Sequence, residues 1–502
     1  MEAVSEDAYD LVRYPGQAYP RAHPDHMAVA ALLCGMEPGP VEHCRVLEVG
    51  CNQGGNLIPM AYWLPESEFV GIDRARTTIE RAQARIERAS LVNIRLQAMD
   101  LVDAGPELGE FDYIIAHGIY AWVPEPVREK LLALCRDRLK PNGVAYVSYN
   151  TYPAGHLRSV SRDAMEFHAA QAGLSRDERV SQGKTFLKFL QEATLSEMGA
   201  AVYKSEYDRQ RNREDEGIFH DELSADYTPC YFAEFMSAAE RHGLQFLAET
   251  RLADMLKPAI KPDALEIITR FAGDDLIAFH QYMDFVTFRG FRETLLCHPQ
   301  IQLQRSAALK AVEKMYVASP LRKFGQTPEG ETEFRISRKR GRICTPDPMT
   351  IAVAERLEQV WPREEHFEDL FAATAAAKAG DHREEARADL AKILIGIAAM
   401  GLAEFRTRRI RAATKVSEKP AASPLTLIEA NEGDVITTLL HQSMQLEDES
   451  SRKFILLLDG TRTHGDLMER MAREYPAIPA DRLEAQIRAN LLDLCHTGLL
   501  VG

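Results

Sequence analysis

At 502 residues the chain exceeds what one hydrophobic core organises, and about three or four domains are expected. Apolar residues at 45% and charged residues at 27% are ordinary for a globular protein, and no apolar run reaches the roughly 18 residues of a membrane span, so a soluble chain with no membrane role is expected. A formal charge of -15 repels a phosphate backbone and makes nucleic acid an unfavoured partner.

The acidic start MEAVSEDAYD lacks the basic and apolar regions of a secretory signal, which points to the cytosol. The eight cysteines form no CxxC pair and no zinc spacing, and they read as reduced thiols with no metal site. The basic runs RISRKRGR (335–342) and RTRRIRAATK (406–415) read as solvated faces or linkers.

In chain order, CRVLEVG (44–50) is a strand ended by glycine, NLIPMAYWL (56–64) a helix and EFVGID (68–73) a second strand. Residues 74–90 form a helix by the spacing of Ile79, Ala82 and Ile86 among charges. NIRLQAMD, FDYIIAHG and GVAYVSYN follow as strands, with a helix from PEPVREKLLALCRDRLKPNG that closes on Pro141 and Gly143. This alternation predicts a parallel, Rossmann-like α/β sheet covered on both faces over residues 1–157. After Tyr152 the alternation stops. A mainly helical domain is predicted over 158–328, with helix patterns continuing to about residue 317 and PCYFAEFMSAAERHGLQFLAE (229–249) read as one helix with a stop at Gly243. The segments LAKILIGIAAMGLAEFR (390–406) and QIRANLLDLCHTGLLVG (486–502) repeat an order of helix, glycine and short strand, which predicts two winged-helix-like modules over 329–416 and 424–502.

The first loop, Gly50-Cys51-Asn52-Gln53-Gly54-Gly55, lies where such sheets bind ligands, yet it does not match the GxGxxG of a dinucleotide site. The pattern Glu48-x-Gly50-x-Asn52-x-Gly54, followed by Asn56, resembles the first motif of class I S-adenosylmethionine-dependent methyltransferases. Asn52 replaces a glycine there, and asparagine is the residue that best tolerates left-handed φ, at about 1 kcal/mol. Asp73 ends the second strand and suits ribose hydroxyls; Asp100 suits the adenine amino group, with the Leu101 amide donating to the ring; His117 at the tip of the fourth strand offers its backbone to the methionine portion.

With YPGQAYPRAHPDHMAVAALLCG (14–35), FDYIIAHGIYAWVPEPVREKLL (111–132), GVAYVSYNTYPAGH (143–156), QYMDFVTFRGFRETLLCH (281–298) and LLLDGTRTHGDL (456–467), the chain resembles bacterial class I methyltransferases that carry a methyltransferase regulatory domain, a group including rickettsial protein lysine methyltransferases. It departs at Asn52 and at Ala154-Gly155, where the family tends to have glycine then tryptophan. The resemblance implies S-adenosylmethionine as cofactor and a protein or peptide substrate, with an arm containing Tyr14 and His23 closing over the cofactor. Tyr120, Trp122, Tyr149 and Tyr152 are expected to line the methyl-acceptor slot, with Asn150 as a carbonyl acceptor; His117 is a further candidate for proton relay. A small-molecule methyltransferase and a non-catalytic, cofactor-sensing binding protein remain as alternatives.

Overall fold

A computed structural model describes residues 16–170, 173–224, 226–256, 260–305, 308–336, 341–374 and 383–502. Tyr14, Pro15 and the middle of the basic run 335–342 lie outside the described residues. The centre is a seven-stranded sheet in the order β3-β2-β1-β4-β5-β7-β6, built from β1 (Arg45–Val49), β2 (Glu68–Asp73), β3 (Ile94–Ala98), β4 (Phe111–Ala116), β5 (Leu139–Asn150), β6 (Gln245–Glu249) and β7 (Phe291–Cys297). The first five strands are parallel, and β7 runs antiparallel to both neighbours.

Every residue of β4 is buried, so both faces of the sheet must be covered. On one face α1 (Pro24–Leu33), α2 (Leu57–Trp63) and α3 (Arg76–Arg88) pack Met27, Leu57, Ile58 and Ile79 against Val46, Phe69 and Tyr113. On the other, α4 (Glu125–Arg138) brings Leu131 and Leu132 to Leu47, Val70 and Ile114. Helix α4 ends at Arg138 and β5 begins at once with Leu139, earlier than Pro141 and Gly143 predict; a register shift between Phe111 and Tyr113 absorbs the extra strand residues.

Helices α5 (Ala154–Ala169), α6 (Arg176–Ala193), α7 (Glu197–Gln210) and α8 (Asp215–Glu222) then form a bundle around Met165, Val180, Leu187 and Ile218. Its buried carboxylate, Glu222, meets Arg158, Arg209 and Arg213; burial opposes its charge, but Arg158 and Arg209 hold the carboxyl below its usual range. The chain returns through α9 (Phe232–Arg241), which joins α4 on the sheet face, then through α10 (Pro262–Ala272) and α11 (Leu276–Thr287).

Two strands in this region differ from the helical reading. The predicted helix 229–249 stops at Arg241, Gly243 takes φ 72, and the remaining apolar run becomes β6. FRETLLC is β7 despite Arg292, because that side chain is 1% exposed and paired. Its guanidinium donates to Asp284 at 2.8 Å through both Nε and Nη2 and to Glu249 at 2.6 Å, and it lies 3.7 Å from the Phe232 ring centroid. The ion pair thus ties α11, β6, β7 and α9 together.

Residues 308–406 place Tyr316–Ala318 between Glu365–His366 and Glu404–Arg406, beside helices Pro348–Val360, Phe367–Thr374 and Arg383–Ala399. The last segment has helices Pro424–Glu432, Glu449–Leu456, His464–Glu474 and Ala480–His496, with a hairpin of Val435–Thr437 and Ser443–Gln445. The predicted echo is visible in both: a long helix, a left-handed glycine (Gly401, φ 68; Gly498, φ 70) and an extended end, Glu404–Arg406 in one and bridges from Leu500 and Val501 in the other. None of the described helices is long and apolar enough to cross a membrane.

Arg292→Ala leaves Asp284 and Glu249 buried without their central cation, a change expected to cost about 3 kcal/mol or more. Urea unfolding followed by tryptophan fluorescence checks this, and a midpoint equal to wild type would refute it.

Candidate donor and acceptor site

The turn out of β1 alternates left-handed residues: Gly50 at φ 69, Asn52 at φ 49 and Gly54 at φ 71. A Cβ on Gly50 would sit 2.3 Å from Ile119 Cδ1, so both conformation and space call for glycine there. Asn52 keeps the conformation and adds two ties: its backbone N–H donates to Asp73 Oδ2 at 2.8 Å, and its Oδ1 accepts from the Gln53 N–H at 2.7 Å. Asp73 holds the next turn as well, accepting from the Ala75 N–H at 2.9 Å. Gly55, which the sequence reading passed over, lets the loop touch the N-terminal arm, since a Cβ there would meet the Gly16 carbonyl carbon at 2.6 Å.

A cavity of about 470 Å³ opens beside this turn. Its donor end is lined by Glu48, Gly50, Asn52, Asn56, Asp73, Asp100, Leu101 and His117, and by Gly16, Gln17 and Tyr19 of the arm. Asp100 also caps the following turn, accepting from the Val102 N–H at 3.0 Å. Glu48 is 3% exposed; its Oε1 accepts from Asn56 Nδ2 at 2.7 Å, while Oε2 is buried and makes no hydrogen bond. Burial pushes its carboxyl up to about 8. A buried carboxyl oxygen on the wall that makes no hydrogen bond and the two strand-end carboxylates of Asp73 and Asp100 fit a cationic, ribose-bearing cofactor such as S-adenosylmethionine.

His117 closes this end. Its ring stacks on Tyr19 with centroids 3.7 Å apart. Nδ1 lies 2.8 Å from the Tyr146 hydroxyl, which donates to Glu293 Oε1 at 3.0 Å, so Nδ1 carries the hydrogen that Tyr146 accepts. Glu293 pairs in turn with Arg21. Burial, helped by Arg21, pulls the imidazole down to about 3, and His117 is therefore neutral.

The cavity is also lined by Trp122, Asn150, Phe291, Arg158, Asp221 and Asp226, with the Phe291 ring 6.0 Å from that of His117. Arg158 and Arg162 lie over the Trp122 ring at 5.1 and 5.2 Å. Of the expected acceptor residues, Trp122 and Asn150 reach the cavity and three tyrosines do not. Tyr149 is the strand neighbour of Asn150 and so points to the opposite face, where it stacks on Phe235 at 4.2 Å; Tyr120 packs edge-on to the same Phe235 at 5.0 Å. Tyr152 stacks on His156 at 3.8 Å outside the cavity. His23 is also away from the cavity: it caps α1, its Nδ1 accepting from the Asp25 N–H at 3.1 Å. Gly54 shapes the turn without lining the cavity. Tyr19, Phe291, Arg158, Asp221 and Asp226 were missed; for Tyr19 the signal was its place in the proline-bound arm, and for Phe291 the unrecognised β7.

A doubly covered parallel sheet with this turn, this strand-end carboxylate and this cavity defines a nucleoside-cofactor domain of the class I methyltransferase type. Residues 46–143 match the family model "Methyltransferase domain", 214–298 "Predicted methyltransferase regulatory domain", and 418–478 "PKMT, C-terminal winged helix domain". Two proteins of Rickettsia prowazekii are similar: uncharacterized protein RP789, 34% identical over 62% of this chain and 57% of its own length, and uncharacterized protein RP028, 32% identical over 49% of this chain and 99% of its own. The solved structure of PKMT2 from Rickettsia typhi in complex with AdoHcy shares the fold at a TM-score of 0.87 and 24% identity, covering 97% of this chain and all of that one. The chain belongs to the family of S-adenosylmethionine-dependent methyltransferases that carry a methyltransferase regulatory domain.

Asn52→Gly is expected to keep cofactor affinity, whereas Asn52→Val, β-branched at positive φ, lowers it about tenfold; calorimetric titration decides, and equal affinities would refute the role assigned to φ. Glu48 gives a pH dependence. Because its folded carboxyl is raised to about 8 from 4.5, the empty protein keeps a proton that the unfolded chain has lost, and this group's contribution to stability falls as pH rises through that window. A cationic cofactor favours the ionised form, so affinity rises from pH 6 to 8 with proton release, and Glu48→Gln abolishes the release. A flat affinity over that range in wild type would count against it.

Proposed function

We propose that the protein transfers the methyl group of S-adenosylmethionine to lysine side chains of a protein substrate. One observation carries this reading: the cavity lined by the donor turn is also lined by Trp122, Phe291 and Asn150, with Arg158 and the Asp221 carboxylate, itself paired with Arg213, in the same wall. Aromatic surface and an amide oxygen suit an alkylamine in its neutral form. A macromolecular acceptor is favoured by the exposed apolar side chains that precede the cavity residue Phe291 in the chain: Phe285, Val286 and Phe288 of α11 and its C-terminus stand about half exposed. The resemblance to rickettsial protein lysine methyltransferases and the printed name PKMT of one family model and one solved neighbour support the same acceptor.

When bound, the cofactor supplies a methyl group on a sulfonium, open to in-line displacement. The chain's residues then have to orient the amine, exclude water and favour its neutral form. Freeing a lysine of its proton at neutral pH costs roughly 4 to 5 kcal/mol. His117 does not serve as the base: with its imidazole at about 3, moving the ammonium proton onto it costs roughly 10 kcal/mol. The proton instead leaves to solvent as the side chain enters a wall that disfavours charge. Asn150 Oδ1 accepts one N–H of the neutral amine, Trp122 flanks the stem, and the lone pair is left facing the donor end.

Trp122→Ala and Asn150→Ala are expected to lower kcat about tenfold or more with donor affinity nearly unchanged, while Tyr149→Phe leaves kcat near wild type. Labelled S-adenosylmethionine with lysate, followed by mass spectrometry, tests the acceptor: label on lysine is expected, and label confined to the small-molecule fraction would sink the reading.

A further inference from the structure

The donor turn is held by more than its own sheet. Asn56, 3% exposed at the head of α2, has its side-chain amide fixed at three points. Nδ2 donates to Glu48 Oε1 at 2.7 Å, and Oδ1 accepts from the Tyr19 N–H at 2.9 Å and from His441 Nε2 at 2.9 Å. These assignments enforce one another. A backbone N–H can only donate, so the atom facing Tyr19 is the amide oxygen, the amino group faces Glu48, and His441 must present Nε2–H.

His441 stands 385 positions further along the chain, in the turn of the hairpin Val435–Thr437/Ser443–Gln445. It is 6% exposed and held at φ 58, a left-handed conformation that histidine adopts only at a cost. The turn is locked: the Thr438 N–H donates to Gln442 O at 2.9 Å, the His441 N–H to Thr438 O at 3.0 Å, and the Leu439 N–H to Gly498 O at 2.9 Å. Two residues on, Ser443 Oγ accepts from the Ala18 N–H at 2.8 Å, on the same arm as Tyr19. The module is docked at two further points: Glu432, at the end of the helix that precedes the hairpin, pairs with Arg85 and Arg88 of α3 at 2.6 and 2.7 Å, and Trp63 packs on the cluster of Leu439 and Leu440.

We propose that His441 is a positioning residue of the donor site, fixing Asn56 and through it the Glu48 carboxyl and the Tyr19 backbone, so that the C-terminal module completes the cofactor cavity. The inference rests on reading that cavity as the S-adenosylmethionine site. Without the imidazole the Asn56 oxygen keeps one donor and the amide is held at two points instead of three, which loosens Glu48 and the arm together.

The test is calorimetric titration of the full chain with S-adenosylmethionine in wild type, His441→Ala, His441→Gln, Asn56→Ala and the His441→Ala/Asn56→Ala double variant, with thermal unfolding of each as a control on folding. His441→Ala is expected to weaken binding about tenfold, the loss of roughly one buried hydrogen bond. His441→Gln, whose amide N–H reaches as far as Nε2–H, restores most of the affinity at unchanged Tm. The double variant binds no more weakly than Asn56→Ala, the mark of two residues acting as one unit. Intact affinity in His441→Ala, or losses that simply add, would overturn the proposal alone. Failure of the wild type to bind would overturn the cofactor reading and the proposal with it.

Discussion

The site depends on one backbone constraint: the chain must reverse out of β1 within six residues beside the cavity that it lines. Gly50, Asn52 and Gly54 achieve this by taking left-handed φ at every second position. Asp73 fastens the turn by accepting from the Asn52 N–H, so the carboxylate that ends β2 sets the loop's shape as well as lining the cavity. The asparagine that breaks the expected glycine pattern keeps the turn's conformation, and its side chain binds the Gln53 amide that a glycine would leave free.

Around this turn, distant parts of the chain converge on the same few buried polar groups. Glu48 comes from β1, Asn56 from the head of α2, Tyr19 from the arm and His441 from the last module. The first turn of α1, which follows the arm, is tied in the same way: the Thr407 N–H donates to Asp25 Oδ1 at 2.7 Å. Buried polar groups are costly without partners, and each of these elements satisfies another. The exception among them is Glu48 Oε2, which is buried on the cavity wall and makes no hydrogen bond.

Much of this was legible from the residues. β1 to β5 are short apolar runs broken by glycine, proline or charge, and the carboxylates Asp73 and Asp100 stand at strand ends, where ligands bind in such sheets. β6 was hidden because LQFLAE continues a helical apolar pattern past Gly243, and β7 because Arg292, Glu293 and Thr294 look unlike a buried strand until their partners are known. Tyr149 stays out of the cavity for a simpler reason. Adjacent strand residues face opposite ways, so of Tyr149 and Asn150 only one can enter the cavity. No local pattern could reveal His441, whose role exists only once residues 385 positions apart have met.

The topology has a consequence for synthesis. β7 covers β5 along six residue pairs, from Ala145 with Leu296 to Asn150 with Phe291, yet it emerges from the ribosome about 140 residues later. During that interval the nascent chain carries a long, largely apolar strand whose hydrogen-bonding edge is open, the kind of template on which neighbouring chains aggregate. The helices of residues 154–222 are made in the meantime, which makes that edge a natural target for chaperones until the two closing strands arrive.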